Sequence, residues 1–161
     1  IWEYIKLNEN DLYSNILSFF DKDFSDNYID SKWKKYIESR EWDPPKLFYD
    51  NNILLLNDEY DLYCDYVKWK KGVNNINNIW LKFKFEEIET LLYSLFDYTI
   101  VIIKENKVYK HILDIYLEQI LKILSVTKTP DIINKIRELD NSNFNSSTKF
   151  IIYSILDLEN K

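Results

Sequence analysis

The stretch EEIETLLYSLFDYTIVII, residues 86–103, decides the fold class, because its apolar residues recur at helical spacing. Glu86 and Glu87 suit the first turn of a helix, where the macrodipole favours negative charge. The run 98–103 is rich in β-branched residues and would also suit a strand. We assign it to the helix because the apolar stripe extends along the whole stretch, at Ile88, Leu91, Leu92, Leu95, Phe96 and Ile103.

The residues that follow this stretch repeat the helical pattern. Thr129, Pro130 and Asp131 are typical of the N-cap, N1 and N2 positions of a helix, which we expect to end near Leu139. Ser146 or Ser147 is the expected N-cap of a last helix. The apolar positions of the two flanking helices are Ile112, Ile115, Tyr116, Ile120 and Ile123, and then Phe150, Ile151, Ile155 and Leu158.

The first half of the chain also predicts helices, separated by turn signals. Asn10 and Asp11 precede a first helix, Ser25 can cap a second that ends near Glu41, and Asp58 opens a third. The breaks are expected at 43–45 (Asp-Pro-Pro), at Gly72 as a helix C′ residue, and at the linker-like run 74–78. We therefore predict one all-α domain over residues 1–161, a compact bundle of about seven helices.

Composition excludes several classes of protein. The chain has 161 residues, is 46% hydrophobic and 17% aromatic, and is therefore too apolar to be disordered. No apolar run is long enough for a membrane span. The formal charge is −6, and residues 1–80 carry 15 acids against 10 bases. This balance argues against a general polyanion binder but leaves room for a local basic face.

Motifs of catalysis and metal binding are missing from the sequence. With a single glycine the chain cannot build a glycine-rich phosphate loop, and no HExxH or GxSxG pattern occurs. Cys64 and His111 are its only cysteine and histidine, which excludes an intramolecular disulfide and a zinc site made of these residue types alone. An EF-hand-like start at Asp21 has aspartate and lysine where the loop needs glycine and glutamate. We predict a non-enzymatic protein with no cofactor, no metal and no catalytic residue.

An internal repeat connects two segments of the first half. Residues 20–37 align without gaps on residues 56–73, at an offset of 36 residues. Each copy has an acidic, aromatic beginning and ends in the sequence Lys-Trp-Lys-Lys, at 32–35 and 68–71. A charge gradient of this kind also stabilises any single helix, so two interpretations stay open: a duplicated unit with one composite basic surface, or ordinary helix chemistry.

The lysine and tryptophan clusters are the candidate site, because lysines neutralise phosphates and aromatic rings stack on unpaired bases. The alternative is that the tryptophans anchor the core and the lysines only cover it. The candidate RNA-binding residues are Lys32, Lys34, Lys35, Lys68, Lys70, Lys71, Lys82 and Lys84, and the candidate stacking residues are Trp33, Trp69 and Trp80.

The chain contains 19 Lys, 17 Asn and 22 Ile but no Ala, a bias that indicates a very AT-rich genome. With this bias, the segments DSKWKKYIESREWDPPK and DYVKWKKGV resemble the early-gametocyte RNA-binding protein family of Plasmodium. The resemblance implies an all-helical, cytoplasmic homodimer that binds RNA during sexual development of a malaria parasite. The alternative is a resemblance to the exported PHIST type of Plasmodium helical domain, which implies binding of an acidic or apolar peptide segment of a protein partner.

Overall fold

Seven α-helices account for most of the residues that the structure, a computed structural model, describes: 2–3, 12–45, 60–104 and 110–160. These ranges contain no strand, which confirms the prediction of an all-α fold. No helix in them is long and apolar enough to cross a bilayer. The helices are α1 (Leu12–Leu17), α2 (Lys22–Glu38), α3 (Tyr60–Phe83), α4 (Ile88–Lys104), α5 (Lys110–Thr127), α6 (Pro130–Arg137) and α7 (Ser146–Leu156), with 3₁₀ turns at Phe85–Glu87 and Asp157–Asn160.

The chain divides into two compact units, Ile1–Glu86 and Glu87–Lys161. The single domain over residues 1–161 stays a prediction. The expected caps at Asn10, Asp11 and Asp58 and the first residues of the second repeat copy, 56–59, lie outside the described residues.

In the first unit, α2 and α3 pack in antiparallel directions. Three contacts follow one another along the pair. The Asp30 carboxylate forms an ion pair with Lys84 just beyond α3, the Trp33 and Trp80 ring centroids lie 5.2 Å apart, and the Tyr36 hydroxyl donates to Asn77 at 2.9 Å. From one contact to the next, the residue number rises on α2 and falls on the α3 side, so the two helices run in opposite directions.

Helix α3 continues without a break through Gly72 and the run 74–78, so the predicted C′ glycine and the predicted linker are both wrong. The reason is packing. Ile76 and Trp80 lie on the buried face of α3, and the amide of Asn77 in the same stretch is fully buried and bonded to Tyr36. Tertiary contacts of this kind override the local preference of asparagine for turns.

The beginning and the end of α2 also differ from the prediction. Asp21, not Ser25, is the N-cap: its carboxylate accepts from the Asp23 backbone N–H at 3.2 Å. The Ser25 hydroxyl instead donates to the Leu17 carbonyl at 2.7 Å, so it connects α2 to the end of α1. The helix ends at Glu38 rather than near Glu41.

In the second unit, α5 packs against both α4 and α7, and α6 packs against α7. The run 98–103 belongs to α4, as assigned from the sequence. Inside it the buried Thr99 hydroxyl donates to the Leu95 carbonyl at 2.8 Å, and the Tyr98 and Tyr116 rings meet edge to face at 5.4 Å. The core side chains include Leu91, Leu92, Leu95, Ile112, Ile115, Tyr116, Ile120, Ile123, Ile152 and Ile155.

The caps of the last two helices are partly as predicted. Thr129 is the N-cap of α6, and Pro130 begins that helix, which ends at Arg137. The Thr129 hydroxyl donates to the Glu89 carboxylate at 2.9 Å instead of capping the helix itself. The N-cap of α7 is Asn145 rather than Ser146 or Ser147; its side-chain oxygen accepts from the Thr148 N–H at 2.8 Å.

Candidate nucleic-acid interface

The Lys-Trp-Lys-Lys segment of α2 places its tryptophan inward and two lysines outward. Trp33 is buried against Trp80, whereas the Lys34 and Lys35 side chains are 75% and 66% exposed. Successive residues of a helix are about 100° apart, so Lys35 lies roughly opposite Trp33. Trp33 thus anchors α2 while Lys34 and Lys35 extend from its outer side.

The Lys-Trp-Lys-Lys segment of α3 has the same alternation in a different environment. Lys68, Lys70 and Lys71 are exposed, and Trp69 is half-buried. The Trp69 indole N–H donates to the Trp42 carbonyl at 3.1 Å. Because Trp33 packs on Trp80 and Trp69 bonds to Trp42, the two copies of the proposed repeat have different neighbours, and the repeat is not visible in the packing.

Trp80 is the centre of the aromatic core of the first unit and is completely buried. The ring centroids of Trp2, Trp33 and Tyr36 lie 5.2, 5.2 and 5.5 Å from its own. A ring enclosed in this way has no free face for a base. Trp33 and Trp80 therefore anchor the core, as the alternative interpretation of the sequence expected. Of the three candidate stacking residues, only Trp69 is partly exposed.

The ion pairs of the exposed lysines are loose. Lys34 lies 3.8 Å from Glu38, Lys35 lies 3.5 Å from Glu41, and Lys68 lies 3.8 Å from Asp65. The Lys34 and Lys68 pairs join exposed groups, and pairs of this kind contribute between zero and about 1 kcal/mol, so these two ammonium groups can exchange a carboxylate for a phosphate at small cost. The partner of Lys35 differs, because the Glu41 side chain is only 20% exposed.

Lys82 and Lys84 differ from one another. The Lys84 side chain is only 12% exposed and holds the ion pair with Asp30 that joins α2 to the end of α3. Lys82 is exposed, with its ammonium group 5.5 Å from the centroid of the Phe83 ring. Lys84 thus belongs to the packing of the unit, whereas Lys82 remains a surface residue.

The structure does not gather the eight lysines on one surface. Lys71 and Lys82 lie two residues from Trp69 and Trp80, which places them on the side of α3 away from α2. Lys35 correspondingly faces away from α3. The two Lys-Trp-Lys-Lys segments are also displaced along the pair, because Trp33 lies beside Trp80, eleven residues or roughly 16 Å along α3 from Trp69.

An aromatic ladder on the outer side of α2 was missed in the sequence. It consists of Phe20, two residues before the start of α2, and of Phe24 and Tyr28 on α2; the ring centroids are 5.4 and 6.3 Å apart, and Lys32 follows. The ammonium group of Lys32 lies 5.4 Å from the centroid of the Tyr28 ring and 5.7 Å from that of Trp2. The four-residue spacing of these residues is visible in the sequence and would have revealed the ladder.

The lysine and aromatic side chains of α2 together can hold a phosphate and the flat face of an unsaturated ring. Among the described residues no group of three His, Cys, Asp or Glu side chains is arranged to hold a metal. Comparison of the chain with family models, curated proteins and solved structures finds no match, so the assignment of function depends on the geometry of this surface.

Proposed function

We propose that the first unit binds RNA through the phosphate backbone, with little reading of base sequence, and that the protein is not an enzyme. The observation that carries the proposal is the outward position of Lys34 and Lys35 on α2, beside an inward Trp33 that fixes the helix. The exposed lysines of α3, at 68, 70 and 71, form a separate basic segment that would bind other phosphates of the same RNA chain.

Electrostatics favours backbone contact over base recognition. A lysine ammonium is a point charge that releases counterions from a phosphate, whereas arginine, which reads base edges, occurs only twice in the chain. Since the first half of the chain is acidic, attraction must come from these local lysines rather than from the net charge. The proposed binding is therefore weak at high salt.

The resemblance to the gametocyte family extends the proposal to a cytoplasmic homodimer that acts in sexual development of a malaria parasite. The features that support this extension are the codon bias and the two Lys-Trp-Lys-Lys segments. In a dimer, one RNA chain could bind the lysines of both protomers, and binding to the second protomer would then be intramolecular, which raises the overall affinity.

The test is a salt titration with a fluorescent single-stranded RNA, measured by anisotropy. We expect binding at low salt that weakens linearly on a log–log plot. In a variant with Lys34, Lys35, Lys70 and Lys71 changed to Gln, we expect weaker binding and a slope reduced by about 3 if all four lysines contact phosphates.

A charge-matched control distinguishes the site from the net charge. It changes four lysines of the second unit: Lys104, Lys135 and Lys149 to Gln, and Lys128, which has a positive φ of 51°, to Asn. We expect this control to bind like the original protein. Equal loss in both variants, or no RNA binding at low salt, would contradict the proposal.

A second candidate function is binding of a protein segment, as in the PHIST type. Exposed aromatic residues on α7 favour it, since Phe150 is 72% and Tyr153 57% exposed. An acidic or apolar peptide bound there would bury these two rings. The affinity of an apolar peptide would change little with salt, which separates this case from RNA binding.

A further inference from the structure

We propose that the ladder of Phe20, Phe24 and Tyr28 stacks on unpaired bases, so that the ligand of the α2 surface is single-stranded RNA. The inference depends on the proposed RNA binding and specifies its ligand. It starts from the arrangement of the rings, whose centroids are 5.4 and 6.3 Å apart along one side of the helix.

Two of the three rings of the ladder are exposed, and Tyr28 is half-buried. Phe20 is 44% and Phe24 55% exposed, and the adjacent Phe19 is 87% exposed. Isolated exposed apolar side chains are common, but a contiguous aromatic patch on an otherwise charged helix typically marks a binding surface. The core does not need these rings, because α2 already packs through Ile29, Trp33 and Tyr36 on its other side.

Charge complementarity selects the partner. The ladder leads along α2 toward Lys32, whose ammonium group lies over the Tyr28 ring, and then toward Lys34 and Lys35 in the next turn. Asp21 and Asp23 lie at the opposite end, beside Phe20. A ligand that matches this surface presents flat rings to the ladder and negative charge to the lysines. An unpaired nucleotide chain does this when its bases lie on the aromatic rings and one of its phosphates lies beside the lysines.

The aromatic ladder can stack on single-stranded RNA but not on a duplex, because base pairing changes which parts of the bases are accessible. In a duplex the bases are stacked on one another and present only their edges, so their faces are closed to a protein ring. Stacking on an aromatic side chain tolerates any base, because every base has a π-face. The ladder therefore predicts preference for single strands without preference for a sequence.

The experiment compares a single-stranded RNA decamer with the same decamer annealed to its full-length complement, so that the second RNA has no unpaired base. The test variant is Phe24→Leu and the control is Phe150→Leu, which removes a more exposed ring, 72% against 55%, from the second unit. We expect Phe24→Leu to weaken single-strand binding roughly fivefold to hundredfold, the range of one lost base stack, and to leave binding of the duplex unchanged.

A 2-aminopurine base in the decamer gives a direct signal of stacking. We expect its fluorescence to fall on binding to the original protein and to fall less with Phe24→Leu. If Phe24→Leu binds both RNAs like the original protein while the four-lysine variant loses them, the inference fails and the proposed function stands. Absence of all RNA binding, including the case in which α2 binds an apolar peptide instead, overturns both.

Discussion

The Tyr36 hydroxyl donates a hydrogen bond to the side-chain oxygen of Asn77 at 2.9 Å, and both residues are completely buried. Burial raises the pKa of Tyr36 far above its ordinary value, and the nearby Glu41 charge raises the pKa further. The phenol therefore remains protonated and can donate throughout the usual pH range. This bond ties the end of α2 to an asparagine-rich turn of α3 that local preference would leave irregular.

Replacing Tyr36 by Phe removes the donor but keeps the ring. We expect a loss of about 1–3 kcal/mol in the free energy of unfolding, because a hydrogen bond to the buried Asn77 oxygen is lost. Urea denaturation followed by circular dichroism measures this loss. The control is Tyr63→Phe on the exposed part of α3, for which we expect a change within about 0.5 kcal/mol. Equal effects of the two changes would show that the bond contributes nothing.

Replacing Gly72 by Ala should stabilise the protein. Gly72 lies inside α3, its φ is not positive, and a Cβ atom placed on it meets nothing within 4 Å. Alanine in a helix interior is more favourable than glycine by roughly 0.5–1 kcal/mol. Thermal unfolding measures the gain. A lower melting temperature would instead place Gly72 at the end of a helix, where alanine is strained.

The Asp131 carboxylate gives the second unit a predicted sensitivity to acid. Hydrogen bonding by Lys135 lowers the pKa of Asp131 most, with further contributions from the Lys135 charge and the Tyr93 hydroxyl. A folded-state pKa below the unfolded value of about 3.9 stabilises the protein above that pH. This stabilisation is lost as the pH falls through the lowered pKa.

Changing Asp131 to Asn should therefore reduce the difference in stability between pH 7 and pH 3. Urea midpoints at the two pH values measure this difference. The difference should be smaller in the variant because asparagine does not take up a proton when the pH falls. Asp26→Asn removes an exposed carboxylate from α2 and serves as the control. If Asp131→Asn and the original protein lose the same stability on acidification, the carboxylate is not a source of the sensitivity.

The N-cap of α7 can be tested by two adjacent substitutions. Asn145 accepts hydrogen bonds from the N–H and the hydroxyl of Thr148, at 2.8 and 2.9 Å. We expect Asn145→Ala to cost about 1 kcal/mol, and Ser146→Ala, one residue inside the helix, to cost much less. Chemical denaturation measures both values. A larger loss of stability for Ser146→Ala than for Asn145→Ala would show that Ser146 is the N-cap, as expected from the sequence.

The helices of the second unit were predictable because their buried faces are periodic in the sequence. Leu91, Leu92, Leu95 and Phe96 recur as a helix requires, so the β-branched run after them could be assigned to the same helix. The run 74–78 was not predictable, because the partner of Asn77 is Tyr36, 41 positions away. Ser25 was misassigned for a similar reason, since its hydroxyl bonds to Leu17 rather than to its own helix.

The candidate site was predictable in part. The alternation of Trp33 with exposed lysines follows from helix geometry, because neighbouring residues point in different directions. The sequence could not say that Trp33 meets Trp80 rather than Trp69, since the pairing of two helices depends on the whole core. The ladder at Phe20, Phe24 and Tyr28 was predictable, because its aromatic residues recur every four positions and are offset by one residue from the buried positions Ile29 and Trp33.

The three contacts between α2 and α3 are chemically unlike one another, and this fixes how the two helices align. Sliding α2 by one turn would bring the Asp30 carboxylate toward the Trp80 ring and would break its ion pair with Lys84, whose side chain is only 12% exposed. Breaking an ion pair of a mostly buried group is costly, so the present alignment is favoured over the shifted ones. The chain is built largely from Lys, Asn and Ile, so many alignments of two of its helices would bring together similar residues. The combination of an ion pair, a ring contact and a hydrogen bond selects one alignment of α2 with α3.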